Sequence, residues 1–350
     1  MRPRMDFGLL LAFRNPKQWA RPFAELYQAH IEQAVFAEDL GYDHVWTTEH
    51  HFAEDAWSPG LLPILSAIAA RTRRIRLGTF ILILPLHHPV RVAEDAATVD
   101  IISNGRLDLG VGQGYWLSEF ASLGIPRSQR AARVEEGLEI IRRCFTQDSF
   151  SFDGKYYQLR EVTLAPKPIQ HPHPPLWVAA MAEKSVTRAA RLGYHLAGSG
   201  GADLQRIYDA ALPRYGRTPE AYHIAQLRAV YIAETREQAW DDAESHLYYM
   251  MTSYDRRFKE AADLPWSEAV FSTSTVPPPG QLRHAPGLTF FQAPLIVGTP
   301  EDAIREIERY RQETRFTHLV MWMQLAGLPP QKARRSMELF AQEVMPHFRG

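Results

Sequence analysis

The sequence predicts a (β/α)8 barrel, a closed ring of parallel strands wrapped by helices, and three observations lead there. Short β-branched or apolar runs alternate with longer amphipathic runs along the chain. Eight such pairs are counted in 350 residues, a length that suits one large barrel. No Gly-x-Gly-x-x-Gly element follows the first strand, which weighs against the doubly wound open sheet that the same rhythm also permits.

The elements follow in order. Met5 to Phe13 is the first strand, and Phe23 to Leu40 the first helix, with Phe23, Tyr27, Ile31 and Val35 on one face and Gly41 as its stop. His44 to Glu49 and Pro63 to Arg71 form the second pair. Arg76 to Leu84 is expected as a nearly continuous apolar strand, buried on both faces. Pro89 to Ile102 is helical up to Asn104-Gly105, and Leu107 to Val111 is the fourth strand. Ser151 to Leu164 is read as a hairpin inserted outside the main sheet. Leu176 to Ala180 with Glu183 to Leu192, and His195 to Ala197 with Leu204 to Tyr215, make the fifth and sixth pairs. Leu227 to Ala233 with Arg236 to about Phe258, then Thr317 to Trp322 with Pro330 to Met345, complete the ring.

Residues 1–350 are therefore expected to form a single domain, with insertions at about 115–130, 149–166 and 261–294. The last, Ala261 to Pro294, follows strand seven and has no clear period. It is read as a lid over the barrel mouth, with a passive surface loop as the alternative.

The 39 basic and 40 acidic side chains nearly cancel. So even a balance supplies no broad cationic field, and nucleic acid is not expected as a partner. The strongest apolar run, Phe80 to Leu86, is too short to span a bilayer. Cys144 is the only cysteine and is read as a buried structural thiol. With no secretory signal recognised, the expectation is a soluble, cytoplasmic protein without membrane association.

Ligands of such barrels sit at the C-terminal strand ends. Strand two ends in Glu49-His50-His51-Phe52, where adjacent histidines point in opposite directions. Together with His87 and His88 they raise a metal-hydrolase reading. No carboxylate ends strand four, however, and no His-x-His lies on strand one, so no metal ligands are assigned. Strand four runs into Gly110-Val111-Gly112-Gln113-Gly114, whose glycines let a flat ring or phosphate approach the backbone. Strand five leads through Met181-Ala182 to a helix start that offers free N–H groups and the Ser185 hydroxyl to an anion. Strand six ends in Gly198-Ser199-Gly200-Gly201. The three small-residue loops describe a shelf for an aromatic, phosphorylated cofactor.

Several motifs resemble the bacterial luciferase-like flavin monooxygenases: Glu38 to Trp46 with Glu49 to Phe52, Leu77-Gly78-Thr79, Leu84-Pro85, His88 to Arg91, Ser103 to Arg106, Val297 to Glu301 and Met337 to Phe340. The resemblance spans essentially the whole chain. It implies a luciferase-like TIM barrel and reduced FMN as co-substrate with O2. It further implies a small, largely apolar substrate of aldehyde, ketone, terpene or alkane type, and a homodimer built on the helices Pro63–Arg71 and Pro89–Ile102. A separate flavin reductase is expected because no second nucleotide-binding fold is visible. By the same resemblance His50 assists proton transfer, and Glu49 lies beside the flavin ring. Thr79, Phe80 and Ile81 line the ring, with a non-proline cis peptide between the last two. Gln113, Gly114, Ser199 and Gly200 contact the flavin, and Met181, Ala182 and Ser185 form the phosphate turn.

Three positions depart from the luciferases. Gly112 stands for the reactive cysteine, Gln113 for a phosphate-binding arginine, and Met181-Ala182 for a Glu-Ser pair. Two other readings stay open: a coenzyme F420-dependent dehydrogenase on the same barrel, and a non-catalytic flavin carrier. Trp57, Trp116, Trp266 and Phe290 are candidate substrate-pocket residues.

Overall fold

The computed structural model of the chain describes residues 4–198, 201–260, 276–285, 288–290 and 293–349. In chain order, β1 (Asp6–Leu11) and α1 (Phe23–Asp39) precede β2 (His44–Thr47) and α2 (Leu61–Arg71). Next come β3 (Arg76–Thr79), a short β4 (Leu82–Ile83), α3 (Pro89–Ser103) and β5 (Leu107–Gly112). Helices α4 (Leu117–Ser122) and α5 (Arg130–Thr146) lead to β6 (Phe150–Asp153) and β7 (Gln158–Val162). Then follow β8 (Leu176–Ala180), α6 (Glu183–Leu192), β9 (His195–Gly198), α7 (Ala202–Ala211), β10 (Ile224–Ile232) and α8 (Arg236–Glu260). The chain closes with β11 (Thr289–Phe290), β12 (Ala293–Pro294), β13 (Ile296–Gly298), α9 (Pro300–Glu313), β14 (His318–Trp322) and α10 (Pro330–Leu339).

Strands β14, β1, β2, β3, β5, β8, β9 and β10 pair in that order, and β10 pairs back onto β14. All of these pairings are parallel, so the sheet closes into the expected eight-stranded barrel with helices outside. Tryptophan fills its interior. Trp46 sits level with Gly78 on β3, where a Cβ would come within 2.2 Å of the indole, and a Cβ on Gly8 would come within 2.6 Å. Trp46 in turn meets Trp177 edge to face at 5.6 Å. Two glycines thus make room for one large ring, packing the barrel as a core rather than a pore.

Four features differ from the sequence reading. The third strand is not continuous: a cis peptide joins Phe80 to Ile81, β4 pairs with β5, and Leu84–Leu86 turns into a 3-10 helix. Alternation of apolar residues does not register such a break, because both halves stay buried. Strand β10 begins at Ile224, before the expected Leu227. β13 and α9 form a pair that the sequence reading did not assign; β13 adds to the flank of β10. Helix α9 starts in a capping box, where the Thr299 side chain and the Asp302 side chain each cap the other's backbone N–H, with Pro300 in the first turn. Finally, α10 ends at Leu339 and gives way to a π-helical turn, Phe340–Val344, and a 3-10 turn, Met345–Phe348.

The inserted hairpin is present as the separate antiparallel pair β6–β7. Of the segment expected as a lid, residues 261–275, with Trp266, lie outside the described residues. Its later part, Leu282–His284, is tied to α8 by Arg283, which donates to Glu244 and Asp241. Cys144 is buried, and burial pushes its thiol up to about 11, as expected of an inert structural cysteine. No helix among the described residues is long and apolar enough to cross a membrane.

Candidate active site

A cleft of about 820 Å³, including its open part, lies at the C-terminal ends of the barrel strands. That volume suits a drug-sized ligand. Leu10, Thr48, Phe80, Ile81, Ile83, Ala179, Met181, Leu227, Tyr254 and Trp322 form much of its wall, and Glu49, His50, Gln113, Gly114 and Tyr115 complete it. The lining is mainly apolar with few polar groups, the usual composition of a small-molecule site.

His50 is the titratable group best placed for chemistry. It follows β2, is buried, and lies flat on Trp116 with ring centroids 3.5 Å apart. Trp57 meets its edge at 4.5 Å. Its Nδ1 donates to Glu119 Oε1 at 3.0 Å, and the His51 backbone N–H donates to the same oxygen at 2.8 Å. Glu119 comes from α4 within the 115–130 insertion, and its side chain is fully buried. Its second oxygen has no hydrogen-bond partner among the described residues. Burial pushes the His50 imidazole below its ordinary value, and Arg257 adds to this while Glu119 opposes it. A depressed histidine is neutral near pH 7. With Nδ1 committed to Glu119, Nε2 remains as a proton acceptor for a ligand.

Glu49 behaves differently, because its oxygens are saturated. The Ile83 N–H donates to Oε2 at 2.5 Å, while the Nε2 atoms of His51 and His87 lie 2.9 and 2.6 Å from Oε1. Burial alone would raise this carboxyl, but the His51 and His87 hydrogen bonds, the Ile83 N–H and the charge on His87 hold it at about 2. One ligand atom each from Glu49, His51 and His87 fall within 4.8 Å of one another. Glu49 thereby fixes the end of β4, at Ile83, and two flanking histidines at the cleft rim.

The glycine strip of β5 is required sterically. A Cβ on Gly110 would lie 2.1 Å from the Thr79 carbonyl oxygen, and one on Gly112 would lie 1.8 Å from Ile81 Cδ1. The Thr79 hydroxyl donates to the Gly110 carbonyl at 2.6 Å and accepts from the Gly110 N–H at 2.9 Å. Thr79 thus clamps two strands and is not among the residues that line the cleft.

A second pocket, of about 370 Å³, shares Gln113 and Ala179 with the main cleft and reaches Ser185 and Arg188 on α6. Ala182 is the N-cap of that helix, and its carbonyl accepts from the Ser185 N–H at 2.9 Å. Arg188 Nε lies 3.6 Å from Glu135 at a half-exposed position.

Of the residues expected from sequence, His50, Glu49, Phe80, Ile81, Gln113, Gly114 and Met181 meet in the main cleft. Ser185 lines the second pocket, and Ser199 and Gly200 lie outside the described residues. Trp57 and Trp116 surround His50, and Phe290 packs on Tyr254 at 5.3 Å. Sequence reasoning missed Glu119, Tyr254, Trp322 and Arg188. A lone carboxylate in an insertion just after the glycine-rich strand was the one available signal for Glu119. Arg188 was legible as the residue one turn beyond Lys184 and Ser185.

With this geometry in view, the chain can be set against known proteins. It matches the family model of the luciferase-like monooxygenases over residues 5–318. The chain belongs to that family. It is 27% identical over 338 residues to the oxygenase component of the flavin-dependent trigonelline monooxygenase of Acinetobacter baylyi, covering 93% of this chain and 90% of that protein. It is 28% identical over 336 residues to the F420-dependent glucose-6-phosphate dehydrogenase of Amycolatopsis mediterranei, covering 91% and 94%. Among solved structures, the monooxygenase RslO1 of Streptomyces bottropensis superposes with a TM-score of 0.82 at 27% identity, over 98% of this chain and 100% of that one. This luciferase-like monooxygenase therefore carries its cleft at the end of the barrel where such folds place their ligands.

Proposed function

We propose that this protein uses reduced FMN and O2 to oxygenate a small, largely apolar substrate. The observation that carries the reading is the joined pair of pockets. An apolar cleft with the His50–Glu119 pair in its wall shares Gln113 and Ala179 with a second pocket bearing Ser185 and Arg188.

The residues present fit the cofactor. The glycine strip and the Phe80–Ile81 turn leave a flat apolar bed for a tricyclic ring, where a Cβ on Gly112 would drive Ile81 out of place. The Ser185 hydroxyl and Arg188 guanidinium supply the hydrogen bonds and charge that a phosphate needs. Arg188 thereby takes up the task left open by Gln113 and Met181-Ala182. Bound reduced flavin supplies the two electrons and the oxygen activation. The chain's own contribution is to bind and orient, to exclude water with Tyr254 and Trp322, and to accept or return a proton at His50 Nε2.

The A. baylyi relative is named an oxygenase component, which supports delivery of reduced flavin by a separate reductase. A homodimer remains part of the proposal. Ala93, Ala96 and Ala97 of α3 are buried within the monomer, whereas Ile101 and Ile102 at its end are exposed and available to a second copy. Sedimentation giving only a 40.0 kDa species would remove the dimer.

The second reading, a coenzyme F420-dependent oxidoreductase, is favoured by the A. mediterranei relative. One experiment separates the two. The protein is titrated anaerobically with reduced FMN and, separately, with reduced F420, then pulsed with O2 while rapid absorbance spectra are taken. Binding of reduced FMN followed by a species distinct from reduced and oxidised FMN supports the oxygenase. Immediate return of oxidised FMN points to a flavin carrier, and binding of F420 alone points to the dehydrogenase.

A further inference from the structure

At the opposite end of the barrel lies a cluster that the cleft chemistry does not use. We propose that Asp6, His44 and His318 form a divalent transition-metal site of the zinc class, joining the first and last strands of the barrel.

The register places these residues together. Asp6 on β1 is the direct neighbour of His318 on β14, and His44 on β2 is the neighbour of Gly8, two residues further along β1. One ligand atom from each falls within 4.8 Å of the other two. His318 Nε2 and Asp6 Oδ2 are already 3.4 Å apart. Two ligands on a tetrahedral zinc, each about 2.0–2.1 Å from the ion, are separated by roughly 3.3 Å.

An outer hydrogen bond orients the His318 ring, and the His44 ring faces a buried carboxylate. His44 Nε2 faces Asp108 Oδ2 at 3.6 Å, and Asp108 is itself held by Arg76 at 2.6 Å and by the Trp177 indole N–H at 3.1 Å. That leaves His44 Nδ1, which is buried and has no hydrogen-bond partner among the described residues. On the other ring, Thr317 Oγ1 engages His318 Nδ1 at 2.8 Å and leaves Nε2 toward Asp6. Carboxylate–histidine–metal and hydroxyl–histidine–metal relays of this kind fix the tautomer of a ligating imidazole.

The remaining neighbours are consistent with an ion. Arg4 lies 3.7 Å from Asp6 Oδ1 but is bound to Asp43 at 2.5 Å, so Asp6 Oδ2 stays available. Asp6 is half-exposed and opens a route from solvent. The His223 ring lies 5.1 Å from the His318 ring, centroid to centroid. The other converging triad, Glu49, His51 and His87, is already joined by hydrogen bonds and belongs to the cleft.

The test uses Co2+, whose visible absorption reports tetrahedral nitrogen and oxygen ligation. Chelator-treated full-length protein is titrated alongside Asp6→Asn, His318→Gln and His87→Gln, with circular dichroism confirming the fold of each. The expected result is one equivalent bound by the unmodified protein and by His87→Gln, with affinity falling by more than about tenfold in Asp6→Asn and His318→Gln; loss of outer partners alone costs about 10–100-fold. Because Asp6 is at the rim, Asp6→Asn keeps the test usable if the His318 variant does not fold. As a second readout, Zn2+ raises the unfolding temperature of the unmodified protein and not that of Asp6→Asn. No binding of either ion overturns the proposal. So does binding that survives in Asp6→Asn but is lost in His87→Gln.

Discussion

Replacing Glu49 by glutamine removes a charge while keeping the side chain's shape, so it isolates what the carboxylate does. In the folded protein three donors converge on it, from Ile83, His51 and His87. Its carboxyl is held at about 2 instead of 4.5. At about 1.4 kcal/mol for each tenfold in proton affinity, that depression amounts to roughly 3 kcal/mol of stability at neutral pH. Glutamine keeps one acceptor oxygen but turns an N–H2 group toward other donors, so the loss is expected to be of that size. The sign follows from the depressed value: the contribution is complete above the unfolded value near 4.5 and is lost as pH falls toward 2. His51 works in the opposite direction. Its imidazole is raised by the Glu49 hydrogen bond, so its share is complete below its unfolded value near 6.5 and fades as pH rises through the folded one. Urea unfolding of both proteins, followed by tryptophan fluorescence at stepped pH, reads the difference directly. The gap should be about 3 kcal/mol at neutral pH and should shrink below about pH 4.5. A neutral-pH gap under about 1 kcal/mol, the yield of an ordinary hydrogen bond, would refute the reasoning.

Three further outcomes are expected. His50→Ala should lower turnover by about 10²–10⁴-fold, the usual contribution of a positioned acid or base, while the Kd for reduced FMN changes only a few-fold. Equal losses in both would contradict the proton-transfer role. Arg188→Ala should weaken FMN by about tenfold or more and leave riboflavin nearly unaffected, since a charged hydrogen bond contributes about 1.5–3 kcal/mol. An unchanged FMN-to-riboflavin affinity ratio, measured by fluorescence quenching, would place the phosphate elsewhere. Gly110→Ala should destabilise by at least about 1–3 kcal/mol in thermal or urea unfolding, because its Cβ meets the Thr79 carbonyl, which cannot rotate away. A near-neutral result would show that the strand pair shifts freely.

Most of the barrel was legible because its signals are local. Gly41 after α1, Asn104 in the left-handed conformation after α3, and the alternation of apolar runs all act within a few residues. The break between β3 and β4 was not legible from periodicity, since buried residues on both sides look the same whether the strand runs on or turns. It entered only through the resemblance. At the site the same division holds. His50 and Glu49 lie on one short stretch after β2, but their partners do not: Glu119 is 69 residues away from His50, and His87 is 38 from Glu49. Which carboxylate each histidine meets is set by barrel closure, and no spacing in the sequence encodes it. The four histidines at the strand ends were weighed as a possible metal set, yet His51 and His87 share Glu49 while His50 turns away to Glu119.

The two buried carboxylates of the cleft differ in how far their hydrogen-bonding capacity is used, and that difference assigns their work. Glu49 has both oxygens engaged by donors from three separate positions, so its charge is spent on holding β4 and the rim histidines in place. Glu119 is as deeply buried but leaves Oε2 without a partner among the described residues. An unpaired buried carboxylate oxygen is costly, and a purely structural role would favour filling it. Beside it, burial holds His50 neutral with one nitrogen free to accept a proton, and a proton gained there turns the His50–Glu119 contact into an ion pair. The same unsatisfied charge that weakens the resting site therefore stabilises the protonated histidine. For the proton transfer proposed at His50, this assigns the tuning to Glu119 and the frame in which the transfer would occur to Glu49.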